Sequence, residues 1–303
     1  MNVVWLIVGA LILILLWVMI YDSTHFEITE YLVTDPSIKK DCRAVVIADL
    51  HNYKFGRDNE LLLEAIRDGK PDMVLIAGDL MTAKRGKDFS PAIELLRELS
   101  KNYPICYGVG NHEHRVRLYK NTYGDMGERY LNALAEMNIK LMCNTRMVFE
   151  EYGIEVVGSQ IHRKYYRRKK KTPMKDTYLP RILGNPDERC FTVLLAHDPE
   201  YFPEYAAWGA DLVLSGHVHG GVARIPFWNK GVLSPSLKFF PKYDGGLFEE
   251  GNAHMILSRG LGCHTIPFRV FNPGDVIFLQ FRKGDKRGVN KISAKPSKRK
   301  NAL

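Results

Sequence analysis

The first feature of the chain is an uninterrupted apolar run near its amino terminus. Residues 3–21 contain no charged side chain, and at about 1.5 Å rise per residue such a helix crosses roughly 30 Å of hydrocarbon. Trp5, Trp17 and Tyr21 stand where aromatic side chains favour the membrane interface. A cleaved signal peptide is the alternative, but it requires a basic start and a small-residue end, and this run has neither. The pattern predicts a retained transmembrane anchor at residues 1–21.

After the anchor, short apolar runs alternate with amphipathic segments, as in α/β proteins whose strands are buried on both faces. The predicted strands are residues 43–48, 72–77, 105–109, 191–196, 211–214, 254–258 and 276–281. The predicted helices are residues 59–67, 91–100 and 123–137, and a hairpin around Gly153 is predicted at 147–157. The fold class is therefore α/β.

Four segments follow from this pattern. Residues 1–21 form the anchor, residues 22–41 a polar juxtamembrane segment, and residues 42–282 the folded domain. The tail at 283–303 is rich in Lys, Arg and Ser, a composition typical of disorder.

The formal charge of +9 is unevenly distributed over the 303 residues. Residues 163–171 carry seven basic side chains, and residues 282–303 carry nine basic and one acidic, so the rest of the chain is net acidic. A nucleic-acid partner is therefore not expected. The basic loop at 163–171 also contains two tyrosines, which favours contact with anionic lipid headgroups, although a solvated surface loop is the alternative.

Two further features bear on the compartment. The five cysteines have no paired spacing, which indicates scattered free thiols rather than a disulfide framework or a zinc ribbon. Acidic residues follow the anchor and no Lys or Arg occurs before Lys39, so the expected orientation places the domain on the extracytoplasmic side.

Polar clusters follow five of the predicted strands, where ligands of α/β sheets bind. They are Asp49-Leu50-His51, Gly78-Asp79, Gly110-Asn111-His112-Glu113, His197-Asp198 and Ser215-Gly216-His217-Val218-His219. Each alone is common in turns, but five in succession predict one site.

The residue types in these clusters suit a pair of divalent ions. Asp49 and His51, like His217 and His219, are alternate residues that share a face of an extended segment. The carboxylate of Asp79 can bridge two ions. Asn111 can supply an amide oxygen as a further ligand, and His197 an imidazole nitrogen. This mixture favours Mn, Fe or Zn over Ca or Mg.

In this order the motifs resemble the calcineurin-like metallophosphoesterase superfamily, and the resemblance covers roughly residues 42–282. It implies a four-layer αββα sandwich of two mixed sheets. The two implied ligand sets share Asp79: one also contains Asp49, His51 and His219, and the other Asn111, His197 and His217. His112 matches the histidine of the family that assists the leaving group.

The closing runs Ser258-Arg259-Gly260-Leu261-Gly262 and Pro267-Phe268-Arg269 look like the membrane-associated YkuE-like branch, some of whose relatives cleave a nucleotide-sugar pyrophosphate. Arg259 is the candidate contact for a substrate phosphate. Two stretches beside the metal motifs depart from the usual pattern: Ser159 to Lys175, which contains the basic loop, and the run Gly221-Val222-Ala223-Arg224.

The resemblance implies a dinuclear phosphodiesterase or pyrophosphatase. A hydroxide bridging the ions would attack phosphorus, while His112 protonates the departing oxygen. The expected substrate is membrane-associated or nucleotide-linked. Two alternatives are a phosphoprotein phosphatase and a non-enzymatic module that binds a partner through its metal site.

Overall fold

A computed structural model describes residues 2–166, 171–226, 228, 230–234, 239–263 and 268–297. The helices are α1 (Asn2–Thr24), α2 (Glu60–Gly69), α3 (Ser90–Ser100), α4 (Asn111–Leu118), α5 (Lys120–Tyr123), α6 (Met126–Ala135), α7 (Tyr178–Leu183) and α8 (Phe202–Trp208). The strands are β1 (Phe26–Asp35), β2 (Cys42–Ile47), β3 (Met73–Ile76), β4 (Ile105–Gly108), β5 (Leu141–Met142), β6 (Thr145–Phe149), β7 (Ile154–Ser159), β8 (Phe191–Ala196), β9 (Leu212–Ser215), β10 (Arg224–Ile225), β11 (Lys230–Gly231), β12 (Gly246–Glu250), β13 (Ala253–Leu257), β14 (Gly274–Lys283) and β15 (Gly288–Pro296).

The strands form two mixed sheets and one small hairpin. The first sheet has the order β15-β1-β14-β2-β3-β4-β5, and the second has the order β12-β13-β9-β8-β7-β6. β2, β3 and β4 run parallel, as do β7, β8 and β9. The carboxyl ends of these parallel strands therefore lie at one edge of each sheet.

Side chains that alternate between the two faces of each strand pack against different layers of the fold. In β2, Val45 and Ile47 pack under α2, α3 and α6, whereas Ala44 and Val46 face the second sheet. On the far side, the second sheet packs against α7 and α8 through side chains such as Leu194. Helices thus cover the outer face of each sheet, which confirms the expected αββα sandwich with an apolar helix before it.

The predicted elements all correspond to observed ones. Each predicted strand overlaps an observed strand, and each predicted helix overlaps α2, α3 or α6. The hairpin of β6 and β7 turns at Gly153, whose φ is +68°. Helix α1 is long and apolar enough to cross a membrane, and most of its side chains are exposed.

Two predicted boundaries require correction. The supposed juxtamembrane segment 22–41 contains β1, which lies inside the first sheet. The supposed disordered tail contains β15, which pairs with β1 at the sheet edge; residues 298–303 lie outside the described part. Composition misled here because the basic residues of this tail have acidic partners on β1: Arg287 lies 2.7 Å from Asp35, and Lys295 lies 3.6 Å from Glu30.

Candidate metal centre

The polar clusters lie in the turns that follow β2, β3, β4, β8 and β9, so they meet at one edge of the sandwich. Five of the seven predicted ligands have left-handed backbone conformations: Asp49, His51, Asp79, His217 and His219 have φ between +50° and +74°. Each such residue costs roughly 1–3 kcal/mol, a strain typical of functional sites. The sequence argument that alternate residues share a strand face was wrong in its geometry, because these pairs converge through tight turns beyond the strand ends.

Asp49 is fully buried, and its two carboxylate oxygens have different surroundings. Oδ2 accepts a hydrogen bond from the backbone N–H of His217 at 2.9 Å. Oδ1 accepts no hydrogen bond from any residue that the structure describes. Instead, Nε2 atoms of three histidines surround it, at 3.7 Å for His51, 3.8 Å for His197 and 3.5 Å for His219. These separations suit atoms that bind one cation together rather than each other.

The rings of His51 and His219 support this interpretation. They stack with their Nε2 atoms 3.1 Å apart. Nδ1 of His219 lies 3.2 Å from the carbonyl oxygen of Gly262, which can only accept, so the proton of a neutral ring is on Nδ1. Nε2 of His219 then presents a lone pair toward His51. Ligands about 2.1 Å from a common metal ion lie at comparable distances from one another.

Asp79 and His197 form the other half of the cluster. Nδ1 of His197 donates to the carbonyl oxygen of Ala77 at 2.7 Å, which leaves the lone pair of a neutral ring on Nε2. That Nε2 lies 3.0 Å from Oδ2 of Asp79. A lone pair and a carboxylate oxygen repel at this distance unless a proton or a metal cation lies between them. The carboxylates of Asp49 and Asp79 are therefore both stabilised by a positive charge placed between them and the histidine nitrogens.

Asn111, at the start of α4, adds a further acceptor. Its side-chain oxygen lies 3.3 Å from Oδ2 of Asp79 and 2.7 Å from Nδ1 of His217. Turning the amide would place its nitrogen there and give two hydrogen bonds instead. Asn111 can thus present its oxygen to a cation, or its nitrogen to these two acceptors when no cation is bound.

Two glycines make room for the carboxylates. A Cβ atom at Gly216 would lie 2.3 Å from Oδ2 of Asp49, and one at Gly110 would lie 2.1 Å from Oδ1 of Asp79. Any side chain at either position would displace a carboxylate. Glycine at these two positions therefore allows the backbone to lie close to the carboxylates of Asp49 and Asp79.

Without a metal ion, protons supply the positive charge that the buried carboxylates need, and the pKa values of these groups shift accordingly. Burial raises the pKa of Asp49 to about 7, although His197 opposes the shift. Burial disfavours the charged ring of His197, but Asp79 and then Asp49 outweigh it and raise its pKa to about 10. Three groups, each with ligand atoms within 4.8 Å of one another, are Asp49-His51-His219, His51-Asp79-His112 and Asp79-His197-His217. This donor set fits divalent metal ions.

His112 lies beside the cluster with its proton on the side that faces it. The backbone N–H of Ala83 donates to Nδ1 of His112 at 2.7 Å, so in the neutral ring the proton is on Nε2. Nε2 lies 4.0 Å from Oδ2 of Asp79. The backbone N–H of His112 also donates to Oδ1 of Asp79 at 2.7 Å. The side chain is thus placed to donate a proton at the edge of the metal site.

Glu113 is a buried carboxylate that fixes the turn of Asp79. Its Oε2 accepts from the backbone N–H groups of Asp79 and Gly110, both at 3.0 Å, and its Oε1 accepts from the hydroxyl of Tyr107 at 2.8 Å. These hydrogen bonds hold the backbone of a predicted carboxylate ligand in place.

The guanidinium of Arg259 is held by two carboxylates. Its Nη2 lies 2.8 Å from Oε2 of Glu27 on β1 and 3.5 Å from Oδ1 of Asp275 on β14. The side chain is 13% exposed, and these two carboxylates hold its pKa above the ordinary value although burial acts in the opposite direction. Arg259 therefore forms a partly buried ion pair, and its contact with a substrate phosphate stays a prediction.

Two supporting residues were missed from the sequence. Asn272 donates through Nδ2 to the carbonyl oxygen of His219 at 2.8 Å. Arg269 donates through Nη2 to the carbonyl oxygen of Gly262 at 2.8 Å, the same oxygen that contacts His219. Their distance along the chain from His219 leaves no local pattern by which to find them.

A cavity of about 280 Å³ opens beside the cluster at His217. Tyr166, Pro203, Pro241 and Tyr243 contribute to its apolar wall, and lysine and acidic side chains also line it. The ring of Tyr166 meets the ring of His217 edge-on, with centroids 5.7 Å apart. The space is adjacent to the predicted ligands and large enough for an organic substituent.

The described ends of the basic loop flank this cavity. Lys171 forms an ion pair with Glu204 at 2.8 Å, and the guanidinium of Arg163 lies 4.3 Å from the ring centroid of Tyr119. Residues 167–170, which carry four of its cations, lie outside the described part of the chain.

Comparison with known proteins gives a consistent result. A family model described as calcineurin-like phosphoesterase matches residues 42–221. An uncharacterized metallophosphoesterase of Campylobacter jejuni is 28% identical over 84% of this chain and 63% of its own length. The chain thus spans less than two thirds of that relative.

Two other relatives match over larger parts of their own lengths. The uncharacterized metallophosphoesterase YkuE of Bacillus subtilis is 25% identical over 73% of this chain and 72% of its own. The phosphodiesterase YaeI of Escherichia coli is 28% identical over 73% of this chain and 75% of its own. The likeness to YkuE agrees with the branch suggested by the closing motifs.

Proposed function

Because the chain belongs to the calcineurin-like phosphoesterase family of metal-dependent phosphoester hydrolases, we propose that it is a dinuclear phosphodiesterase or pyrophosphatase. Its substrate would be membrane-associated or nucleotide-linked. The observation that carries the proposal is the convergence of acceptor atoms at the strand ends, above all Oδ1 of Asp49 among three imidazole nitrogens.

Two ions would share the carboxylate of Asp79. Asp49, His51 and His219 complete the ligands of the first ion, and Asn111, His197 and His217 complete those of the second. Imidazole nitrogens mixed with carboxylate and amide oxygens favour Mn, Fe or Zn. When bound, the ions supply positive charge to the phosphoryl group and lower the pKa of a coordinated water.

The remaining chemistry belongs to the side chains. Nε2 of His112 carries its proton toward the site because Nδ1 is occupied by the N–H of Ala83. We assign His112 as the general acid that protonates the departing oxygen. Glu113 holds the backbone of Asp79, so that the bridging carboxylate keeps its position.

The cavity beside His217 supports a diester or pyrophosphate. Such a substrate carries an organic group on each side of the scissile bond, and one of these groups needs space next to the ions. The phosphodiesterase name of the Escherichia coli relative points the same way. A phosphoprotein phosphatase and a non-enzymatic metal module are the alternatives that the assay must separate.

Helix α1 would hold the enzyme in the membrane with its domain on the extracytoplasmic side. The basic loop 163–171 would contact anionic headgroups. Replacing Arg167, Arg168, Lys169 and Lys170 by Gln should slow hydrolysis of lipid substrates in anionic vesicles and spare soluble diesters. The difference should fade as salt screens the surface within a Debye length of about 8 Å.

The test uses the full chain in detergent, loaded separately with Mn, Fe or Zn. Hydrolysis of a nitrophenyl monoester, a bis-nitrophenyl diester, a nucleotide-sugar pyrophosphate and a phosphopeptide is compared, and metal content is measured by mass spectrometry. The proposal expects two ions per chain and preference for the diester or the pyrophosphate. Preference for the phosphopeptide would support a phosphatase, and metal binding without hydrolysis would support the non-enzymatic module.

A further inference from the structure

The connection between α1 and the catalytic domain is unusually short. Helix α1 ends at Thr24 and β1 begins at Phe26, so that only His25 lies between the apolar helix and a strand inside the first sheet. Phe26 is buried and packs edge-on against Phe55, with centroids 5.0 Å apart. A domain joined in this way cannot swing freely on its helix.

The helix enters the sheet at the edge that carries the metal centre. β14 runs antiparallel to β2, and β1 runs parallel to β14, so β1 starts where β2 ends. Phe26 pairs with Gly274, and the neighbouring Asp275 donates through its N–H to the carbonyl oxygen of Gly260. The segment 260–262 bonds in turn to Asp49, through the N–H of Gly262 at 2.7 Å. Two to three strand spacings, roughly 10–15 Å, therefore separate Phe26 from Asp49.

Hydrogen bonds fix the end of α1 to the loops that support a predicted ligand. Oδ2 of Asp22 accepts from the backbone N–H of Asn272 at 2.8 Å, and Oγ of Ser23 accepts from that of Arg269 at 3.1 Å. Asn272 and Arg269 are the residues that hold the carbonyl oxygens of His219 and Gly262. The end of the helix is thus connected to His219 through a single residue, Asn272.

Exposed aromatic side chains lie in the loop that contacts the helix end and in two loops that follow His219. Phe268 and Phe271 are next to Arg269 and Asn272, whose N–H groups bond to α1. We call the following residues the aromatic loop surface, with their exposed fractions: Trp228 (80%), Phe239 (72%), Phe240 (56%), Phe268 (38%) and Phe271 (43%).

Backbone hydrogen bonds join these loops into one unit. Val270 pairs with Val222 and Arg224, and Val222 donates to the carbonyl oxygen of Leu233 at 2.7 Å. Phe240 donates to the carbonyl oxygen of Val232 at 2.9 Å, so the three loops extend one small β layer. This layer follows His219 in the chain and contacts the end of α1.

Because α1 is long and apolar enough to cross a membrane, the membrane is the expected binding partner of the aromatic loop surface. Trp17 and Tyr21 stack at 5.5 Å near the end of α1, and Tyr21 stacks on His25 at 4.1 Å, an arrangement typical of the boundary between hydrocarbon and headgroups. Asp22 and Ser23 stand at this level. If α1 crosses the bilayer, Phe268 and Phe271, next to the residues that bond to Ser23 and Asp22, would lie in the interfacial zone, where aromatic rings are most stable.

We propose that the aromatic loop surface rests in the bilayer interface beside α1 and turns the metal centre toward the headgroups. The substrate class is then a phosphoester carried by a membrane lipid, which narrows and rests on the proposed phosphoester hydrolase function. The short link at His25 and the bonds to Asp22 and Ser23 hold this orientation.

The first experiment measures contact with lipid and does not depend on activity. The full chain and the Trp228→Phe variant are placed in vesicles of phosphatidylcholine and phosphatidylglycerol with brominated acyl chains. The wild type should lose more tryptophan fluorescence than the variant, because Trp228 lies within reach of the bromine atoms. Equal quenching would place Trp228 away from the bilayer and overturn the proposal.

The second experiment links the surface to the substrate. A chain carrying Phe268→Ser and Phe271→Ser is compared with Ile292→Ser on β15, whose side chain is similarly exposed. Hydrolysis of a vesicle-borne lipid phosphodiester should fall several-fold in the double variant, hydrolysis of a soluble diester should not, and the control should match the wild type. Equal loss on both substrates with loss of metal would assign these residues to loop structure only. If the wild type hydrolyses no phosphoester but Trp228 is quenched, the proposed function is refuted, whereas the contact of the aromatic loop surface with the bilayer is supported.

Discussion

Two buried charged clusters lie close together in this protein and differ in one respect. The metal cluster gathers Asp49, Asp79 and the histidines, and the arginine cluster joins Arg259 to Glu27 and Asp275. Both remove carboxylates from water. In the arginine cluster every close contact has a hydrogen to share, and Thr29 donates a further one to Asp275 at 2.8 Å.

In the metal cluster the nearest atoms are acceptors that face one another. The structure thereby shows how a binding site can be distinguished from a structural ion pair. A buried ion pair satisfies its own charges, whereas a metal site leaves a deficit of positive charge that a metal cation or added protons must fill. Burial alone would have classed the two clusters together.

The strongest test of this contrast is Asp79→Asn. Loss of the shared carboxylate removes one negative charge from between two cations, so both ions should be released and hydrolysis should become undetectable. Metal content is measured by mass spectrometry, with Asp125→Asn as an exposed control. Retention of two tightly bound ions would show that Asp79 is not the bridge.

A smaller effect is expected for His112→Ala. General acid catalysis is typically worth about 10²- to 10⁴-fold, and the metal content should remain that of the wild type. The loss should be least on nitrophenolate esters, whose leaving groups need little protonation, and His162→Ala serves as the exposed control. An equal loss across leaving groups of very different pKa would argue against the acid role.

Gly216→Ala should weaken metal binding without unfolding the chain. The new Cβ would lie 2.3 Å from Oδ2 of Asp49 and would push that carboxylate from its position. We expect roughly a 10- to 100-fold lower affinity, the range seen when residues that orient ligands are changed. Gly288→Ala is the control, because a Cβ there would come no closer than 3.3 Å to another residue, the hydroxyl of Thr34. Unchanged affinity, measured by metal titration, would mean that Asp49 tolerates displacement or is not a ligand.

Arg259→Gln should have the smallest effect on catalysis and a clear one on stability. Removing one partner of a buried ion pair typically costs about 3–5 kcal/mol, while the activity of each folded molecule should stay near that of the wild type. Thermal unfolding and the specific activity are compared with those of Arg282→Gln, whose ion pair with Asp41 is exposed. A fall in activity at unchanged stability would restore the substrate role expected from the sequence.

The sequence by itself determined where the core strands lie along the chain, the position of the apolar helix and the identity of the seven candidate ligands. These features are local: alternation marks buried strands, and polar residues that follow apolar runs mark strand ends. The resemblance then supplied the sandwich. Nothing beyond neighbouring residues was needed to find Asp49 or His217.

Only the tertiary structure decided which charges are satisfied and which are not. β1 and β15 were missed because their pairing depends on partners about 250 positions away, and the ion pair of Arg259 was missed because Glu27 lies on one of those strands. The same long-range pairing brings the end of α1 to Asn272 and places the helix at the metal edge. A sequence pattern records what each residue offers, but the distance between two acceptors exists only after the chain has folded.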